Sequence, residues 1–185
     1  MENQNKALLV MDVQCSIAKN LKDRASFFVA LKKAIKNARE KNIAVIYVVV
    51  GFRKGYPEVS AQNKSFSLLR SGAMQLDIES AMKIDSEIEP LPNDVIITKK
   101  RISAFTGSDL DVVLRGFDAK ELILSGISTS GVVLSTLREA ADKDFIITVL
   151  SDCCADGDDE VHRVLTTKLF PRQAAVITAD EWCAL

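Results

Sequence analysis

The segment from Glu121 to Asp152, ELILSGISTSGVVLSTLREAADKDFIITVLSD, constrains the fold more than any other stretch. Two short apolar runs, Leu122 to Ser125 and Phe145 to Leu150, flank residues Val132, Val133, Thr136, Leu137, Ala140 and Ala141, which recur at helical spacing. The pattern predicts a strand, a tight turn centred on Gly126, a helix and a second strand. Thr129 or Ser130 stands where a helix cap belongs, so the first free N–H groups of the helix point back toward the strand end. Such a turn suits an oxyanion or another anion, and a functional residue is expected within a few positions of Gly126.

The rest of the chain repeats the alternation. Lys6 to Val13 reads as a strand buried on both faces, which favours a central parallel position. A helix over 25–41 carries Phe27, Phe28, Leu31, Ala34, Ile35 and Ala38 on one face. Ile43 to Val50 and Asp94 to Thr98 are further strands, and a short helix from Asp109 to Arg115 is closed by Gly116. Residues 73–90 suggest one short irregular helix. A helix over 158–169, with Asp158, Asp159 and Glu160 in its first turn, precedes a last strand from Ala174 to Ile177. The expected architecture is α/β: a three-layer sandwich with a central, mostly parallel sheet flanked by helices. With no repeat or linker, residues 1–185 are expected to form one domain.

Composition narrows the function classes. The formal net charge is −1, and neither a basic block nor a basic amphipathic helix stands out, so no nucleic-acid or membrane partner is expected. The longest apolar run, Ile43 to Val50, is too short to span a bilayer. The polar start MENQNK does not read as a signal peptide, and Cys15, Cys153, Cys154 and Cys183 show neither disulfide nor zinc spacing. A reducing cytoplasm is the expected home.

In parallel sheets chemistry collects at the carboxyl ends of the strands, where Asp12, Lys99 and the Gly126–Val132 turn fall. A carboxylate after an apolar strand is costly unless paired, and a nearby Lys would tune it as an acid or base. Taken alone, Lys99 to Arg101 would read as a solvated edge. His162, the only histidine, is expected on the exposed side of its helix, which leaves no Ser-His-Asp triad.

Three stretches resemble the isochorismatase-like hydrolase superfamily, which includes nicotinamidases and carbamoyl-amide hydrolases. They are LLVMDVQ at 8–14, KKRISAFTGSDLDVVLR at 99–115, and LILSGISTSGVVLSTLREAADKDF followed by VLSDCCAD. The resemblance implies Asp12 and Lys99 as the catalytic acid-base pair, substrate contacts at Gln14 and Phe105, and a non-proline cis bond at Ile127–Ser128. It implies turn N–H groups around Ser128, Thr129 and Gly131, a small-molecule substrate and a homo-oligomer, a dimer or larger. The departure is at Val132, which aligns with the family's nucleophilic Cys and cannot form a thioester. Isochorismatases also lack that Cys; there the Asp protonates a vinyl ether. The nicotinamidase metal motif is missing, so no metal or cofactor is expected. Three readings stay open: an Asp-acid hydrolase, an amide hydrolase using a relocated thiol (Cys15, Cys153 or Cys154), and a non-catalytic binding or oligomeric member. The loop with Arg53, Lys54, Tyr56, Asn63, Lys64 and Arg70 is cationic, and Arg53 is the expected partner of an anionic substrate.

Overall fold

The computed structural model describes residues 5–70 and 78–185. In chain order the elements are β1 (Lys6–Met11), α1 (Cys15–Ala18), α2 (Arg24–Glu40), β2 (Ala44–Val50), α3 (Ser67–Arg70), α4 (Ile78–Met82) and β3 (Val95–Lys99). There follow α5 (Leu110–Gly116), β4 (Glu121–Ile127), α6 (Leu134–Asp142), β5 (Ile146–Ala155), α7 (Asp159–Val164), β6 (Ala175–Ile177) and α8 (Ala179–Ala184). Residues 71–77, and with them part of the helix expected over 73–90, lie outside the described residues, as does the Arg70 side chain.

The six strands form one sheet in the order β3-β2-β1-β4-β5-β6, and every pairing is parallel. The expected sandwich is therefore present, with a fully parallel rather than mostly parallel sheet. Two buried layers cover its faces. On one, Leu9, Met11, Ile46 and Leu124 pack with Leu114 of α5 and Leu137 of α6. On the other, Leu8, Val10 and Ile123 meet Phe28 and Leu31 of α2 and Trp182 of α8. Strand side chains alternate between faces, so continuous apolar runs such as ALLVM need apolar cover on both sides.

The α2 stripe matches the spacing of Phe27, Phe28, Leu31, Ala34, Ile35 and Ala38, all of them buried. Asp23 caps that helix by accepting a hydrogen bond from the Ser26 N–H. Three boundaries move for local reasons. β1 stops at Met11 because Asp12 turns the chain at φ 54, a conformation that Asp tolerates better than most residues. β5 runs on to Ala155, so Cys153 and Cys154 lie inside a strand instead of following its end. The expected 158–169 helix begins one residue later, capped by Asp158, and passes into a wider turn at Leu165–Leu169.

Candidate active site

The strand order reverses between β1 and β4, and the first residues beyond both strands flank that point. Asp12 follows β1, and Lys99 ends β3. β2 lies between them, with Met11 in register with Val48 and Lys99 in register with Val50. Lys99 reaches over β2 to place Nζ 2.8 Å from Asp12 Oδ2. The same ammonium donates to the carbonyls of Arg101 (3.0 Å) and Ile102 (2.7 Å), so its three protons have three acceptors. Lys99 is only 1% exposed, which overturns a solvated edge for this cation. Burial pulls its pKa below the ordinary lysine value, against the attraction of Asp12.

Asp12 is buried as well, and its Oδ1 has no hydrogen-bond partner among the described residues. Burial pushes its carboxyl up to about 6, although Lys99 pulls the other way. A carboxyl in that range can hold a proton close to neutral pH and release it to a bound molecule.

The turn after β4 is held from several sides. Gly126 adopts φ +140, and a Cβ there would press into the Met11 carbonyl, so only glycine lets β4 lie against the end of β1. The Ile127–Ser128 peptide is cis, at the position that the resemblance implied. Ser128, not Thr129 or Ser130, is the cap: its Oγ accepts from the Gly131 N–H at 3.1 Å. The Ser130 N–H donates to Asp156 Oδ2 at 2.7 Å. Two of the turn's amides are therefore already committed. Val132 is buried in the layer that also contains Phe105 and Cys154.

His162 corrects the expectation of an exposed side chain. It is half-buried, and its Nδ1 shares a 2.8 Å hydrogen bond with Oγ1 of the fully buried Thr129. Burial holds the imidazole below its ordinary pKa, against Asp156 and Asp159. Asp156 and His162 were not legible as parts of the turn. The capped start of α7 placed both near a helix N-terminus, but nothing in the spacing pointed them at β4.

The remaining candidates are committed within the protein. Gln14 is buried; its Nε2 donates to the carbonyls of Ala81 (2.6 Å) and Val50 (3.2 Å), and its Oε1 accepts from the Val50 N–H. Arg53 points outward, 73% exposed, and pairs with Glu58 at 2.6 Å. Phe105 belongs to the core, stacked on Phe145. Lys100 donates to the Gly51 carbonyl and Arg101 to that of Glu58, so these cations tie the loop after β2 to the end of β3. Burial pushes the Cys154 thiol up to about 12 and raises Cys153 further, while Cys15 Sγ meets the Ile84 carbonyl at 3.5 Å. Among the described residues no cluster of His, Cys, Asp or Glu is arranged to hold a metal ion.

This geometry can be set beside known proteins. The sequence profile of the Isochorismatase domain matches residues 6–181. The chain belongs to the isochorismatase family. It is 28% identical to the "Uncharacterized isochorismatase family protein YwoC" of Bacillus subtilis, over 97% of this chain and 93% of that protein. It is 30% identical to the ureidoacrylate amidohydrolase RutB of Pantoea ananatis, over 85% of this chain and 72% of the relative. Among solved structures, a cysteine hydrolase from Pseudomonas syringae pv. phaseolicola superposes with a TM-score of 0.86 at 22% identity, covering 100% of this chain and 93% of that one. That likeness concerns the fold. Together these matches make the chain an isochorismatase-like hydrolase by family.

Proposed function

We propose that this isochorismatase-family chain hydrolyses a small metabolite through Asp12 as general acid/base, with Lys99 orienting and tuning it. Val132 stands in this reading where cysteine-dependent relatives carry their thiol. The observation that carries it is the state of Asp12: one oxygen is held by Lys99, and the other is buried and unpartnered on a carboxyl pushed up to about 6.

Such a group suits cleavage of a vinyl ether. The proton of the Asp12 carboxyl passes to the terminal carbon of the C=C bond, and the electron pair on the ether oxygen stabilises the resulting oxocarbenium ion. Water adds to the carbon that bears the ether oxygen, giving a hemiketal, and returns a proton to the Asp12 carboxylate. The hemiketal then breaks its C–O bond, releasing an alcohol and a ketone such as pyruvate. The reaction needs neither a thiol nor a metal. Lys99 contributes by fixing Oδ2, since its own three protons are engaged.

The likeness to ureidoacrylate amidohydrolases favours amide hydrolysis as a second reading. That reading requires a thiol elsewhere than residue 132. The raised, buried thiols of Cys153 and Cys154 are poor nucleophiles, which leaves Cys15 as its candidate. Turnover on a panel of vinyl ethers and carbamoyl amides, reading pyruvate and ammonia, separates the two readings. Pyruvate release that is lost in Asp12→Asn and indifferent to iodoacetamide supports the Asp-acid reaction. Ammonia release stopped by alkylation of one cysteine overturns it. Saturable ligand binding without turnover would make the chain a binding module.

A further inference from the structure

Two of the three acceptors of the Lys99 ammonium are the carbonyls of Arg101 and Ile102, just past the end of β3. Residues 100–109 belong to neither a helix nor a strand, so these carbonyls have no ladder to place them. Where Nζ stands therefore depends on how the segment is anchored. Its near end is tied to the loop after β2, through Lys100 on the Gly51 carbonyl and Arg101 on that of Glu58. Its far end is tied to α6, the helix that starts directly after the turn of Ser128 to Val132.

The second tie is made by Thr136 and Glu139, three residues apart and therefore neighbours on one face of α6. Thr136 Oγ1, fully buried, accepts from the Ala104 N–H at 3.0 Å. Glu139 Oε2 accepts from the Ser103 hydroxyl at 2.6 Å and from the Thr106 hydroxyl at 3.2 Å. The shorter of these has the length of a hydroxyl–carboxylate hydrogen bond, stronger than one between neutral groups. Ser103 is buried, and its Oγ also accepts from the Phe105 N–H at 3.3 Å. One carboxylate oxygen thus gathers both ends of the 103–106 stretch, beginning one residue beyond the Ile102 carbonyl. Between those ends, Ala104 and Phe105 pack in the layer that holds Val132, Val133 and Leu137. The acceptors of Lys99 are in this way referred to the helix that carries the turn.

We infer that Glu139 is a positioning residue for the Asp12–Lys99 pair. Through Ser103 and Thr106 it fixes the Ile102 carbonyl, and through that carbonyl the Lys99 ammonium against Asp12 Oδ2. Its effect on turnover rests on the proposed function; its hold on Lys99 does not.

Two measurements on the full chain test it. One is the Asp12 titration followed by carbon-13 NMR, which needs no substrate; the other is the steady-state kinetics of vinyl-ether turnover. Glu139→Ala frees the segment, so Lys99 holds Oδ2 less closely. The Asp12 midpoint should then rise from about 6 by about 0.5 pH or more. The kcat should fall about tenfold with KM within about twofold, because alignment is lost and binding is not. Ser103→Ala should act in the same direction. Adding it to Glu139→Ala should cost no more than about a further twofold, since both remove one link. Glu139→Gln keeps an oxygen that can accept from the two hydroxyls and should return both readouts to wild type. Asp111→Ala is the control. It breaks the 2.8 Å pair with Lys143 that joins α5 to the end of α6, removes no hydrogen bond to residues 101–106, and should leave the Asp12 midpoint unchanged. A midpoint that stays in place in folded Glu139→Ala and Ser103→Ala overturns the inference. So does a shift that Glu139→Gln fails to reverse, or that Asp111→Ala reproduces. The expected shift in a chain without vinyl-ether turnover would count against the proposed reaction and leave Glu139 in its role. Turnover that is lost in Asp12→Asn but unchanged, like the midpoint, in Glu139→Ala would do the reverse.

Discussion

Lys99 and Asp12 form a 2.8 Å ion pair in which the lysine is saturated and the aspartate is not. The ammonium has Asp12 Oδ2 and two backbone carbonyls as acceptors, whereas Asp12 Oδ1 has no partner among the described residues. The division of labour follows: Lys99 is fixed in place, and Asp12 is the group able to exchange a proton with a bound molecule.

Removing the lysine should expose that dependence. Lys99→Met leaves a buried carboxyl without its counter-charge and the carbonyls of Arg101 and Ile102 without their donor. The expected loss is about 3 to 5 kcal/mol at pH 8, the usual cost of breaking a buried pair from one side. The loss should shrink at pH 5, where Asp12 takes up a proton instead. Urea unfolding at both pH values, with Asp12→Asn/Lys99→Met completing the cycle, checks this. A double variant less stable than Lys99→Met at pH 8 would contradict it.

The raised Asp12 carboxyl fixes the sign of two pH dependences. Its folded value of about 6 lies above the ordinary aspartate value of 3.8, so its favourable contribution is present below 3.8 and is lost as pH rises through about 6. Across that window the contribution changes by roughly 3 kcal/mol. The stability of Asp12→Asn relative to wild type should therefore improve between pH 4 and 7. If Asp12 is a general acid, turnover should also fall with rising pH through about 6. A rate that climbs through the same window would indicate that Asp12 works as a base.

Much of the fold was legible because its constraints are local. The apolar runs from Ala7 to Met11 and from Val45 to Val49 could be buried only as central strands, and the α2 stripe announced its inward face. Asp12 and Lys99 were singled out through strand ends and resemblance, and the structure brings them together, although charge alone misplaced Lys99 at the surface. What stayed hidden depended on distant contacts. Arg53 looked like a clamp because spacing cannot show Glu58 folding back onto it. His162 looked exposed because only the β4–β5 packing brings it to Thr129. The amides of the turn looked free because Asp156, 26 residues on, supplies the anion for one of them.

Gly126 should tolerate no side chain. Its φ of +140 is strained for an L residue, and the added Cβ meets backbone, the Met11 carbonyl, instead of a flexible side chain. Gly126→Ala is expected to cost about 4 kcal/mol or more and to yield little soluble protein. Near-wild-type resistance to urea would show that β1 and β4 can separate at this point.

The second buried carboxylate behaves oppositely to Asp12. Arg24 holds Asp85 through two 2.9 Å hydrogen bonds, and that contact depresses the Asp85 pKa. Its contribution is present above the ordinary carboxylate value and is lost as pH falls through the depressed one. Arg24→Met should cost about 1 to 2 kcal/mol at pH 7, discounted because the Arg24 side chain is 37% exposed. The difference from wild type should narrow in acid. A cost that is constant from pH 7 to pH 2.5 would assign it to the packing of Arg24 on Phe28 instead.

Residue 132 offers the most direct test of why this chain would lack thiol chemistry. Val132 is 2% exposed beside other apolar side chains, so Val132→Cys replaces a buried group with one of similar size and should cost no more than about 1.5 kcal/mol. If the side chain stands at the nucleophile position, the new thiol has Asp12 available as its base and the Ser128–Val132 turn around it. The variant should then release ammonia from a carbamoyl amide that wild type leaves intact, and iodoacetamide should stop it with the label on residue 132. Its vinyl-ether turnover should survive in part, because that reaction draws on Asp12. A folded Val132→Cys protein that neither gains ammonia release nor takes the label would remove residue 132 from the reaction centre and redirect the search to the other cysteines.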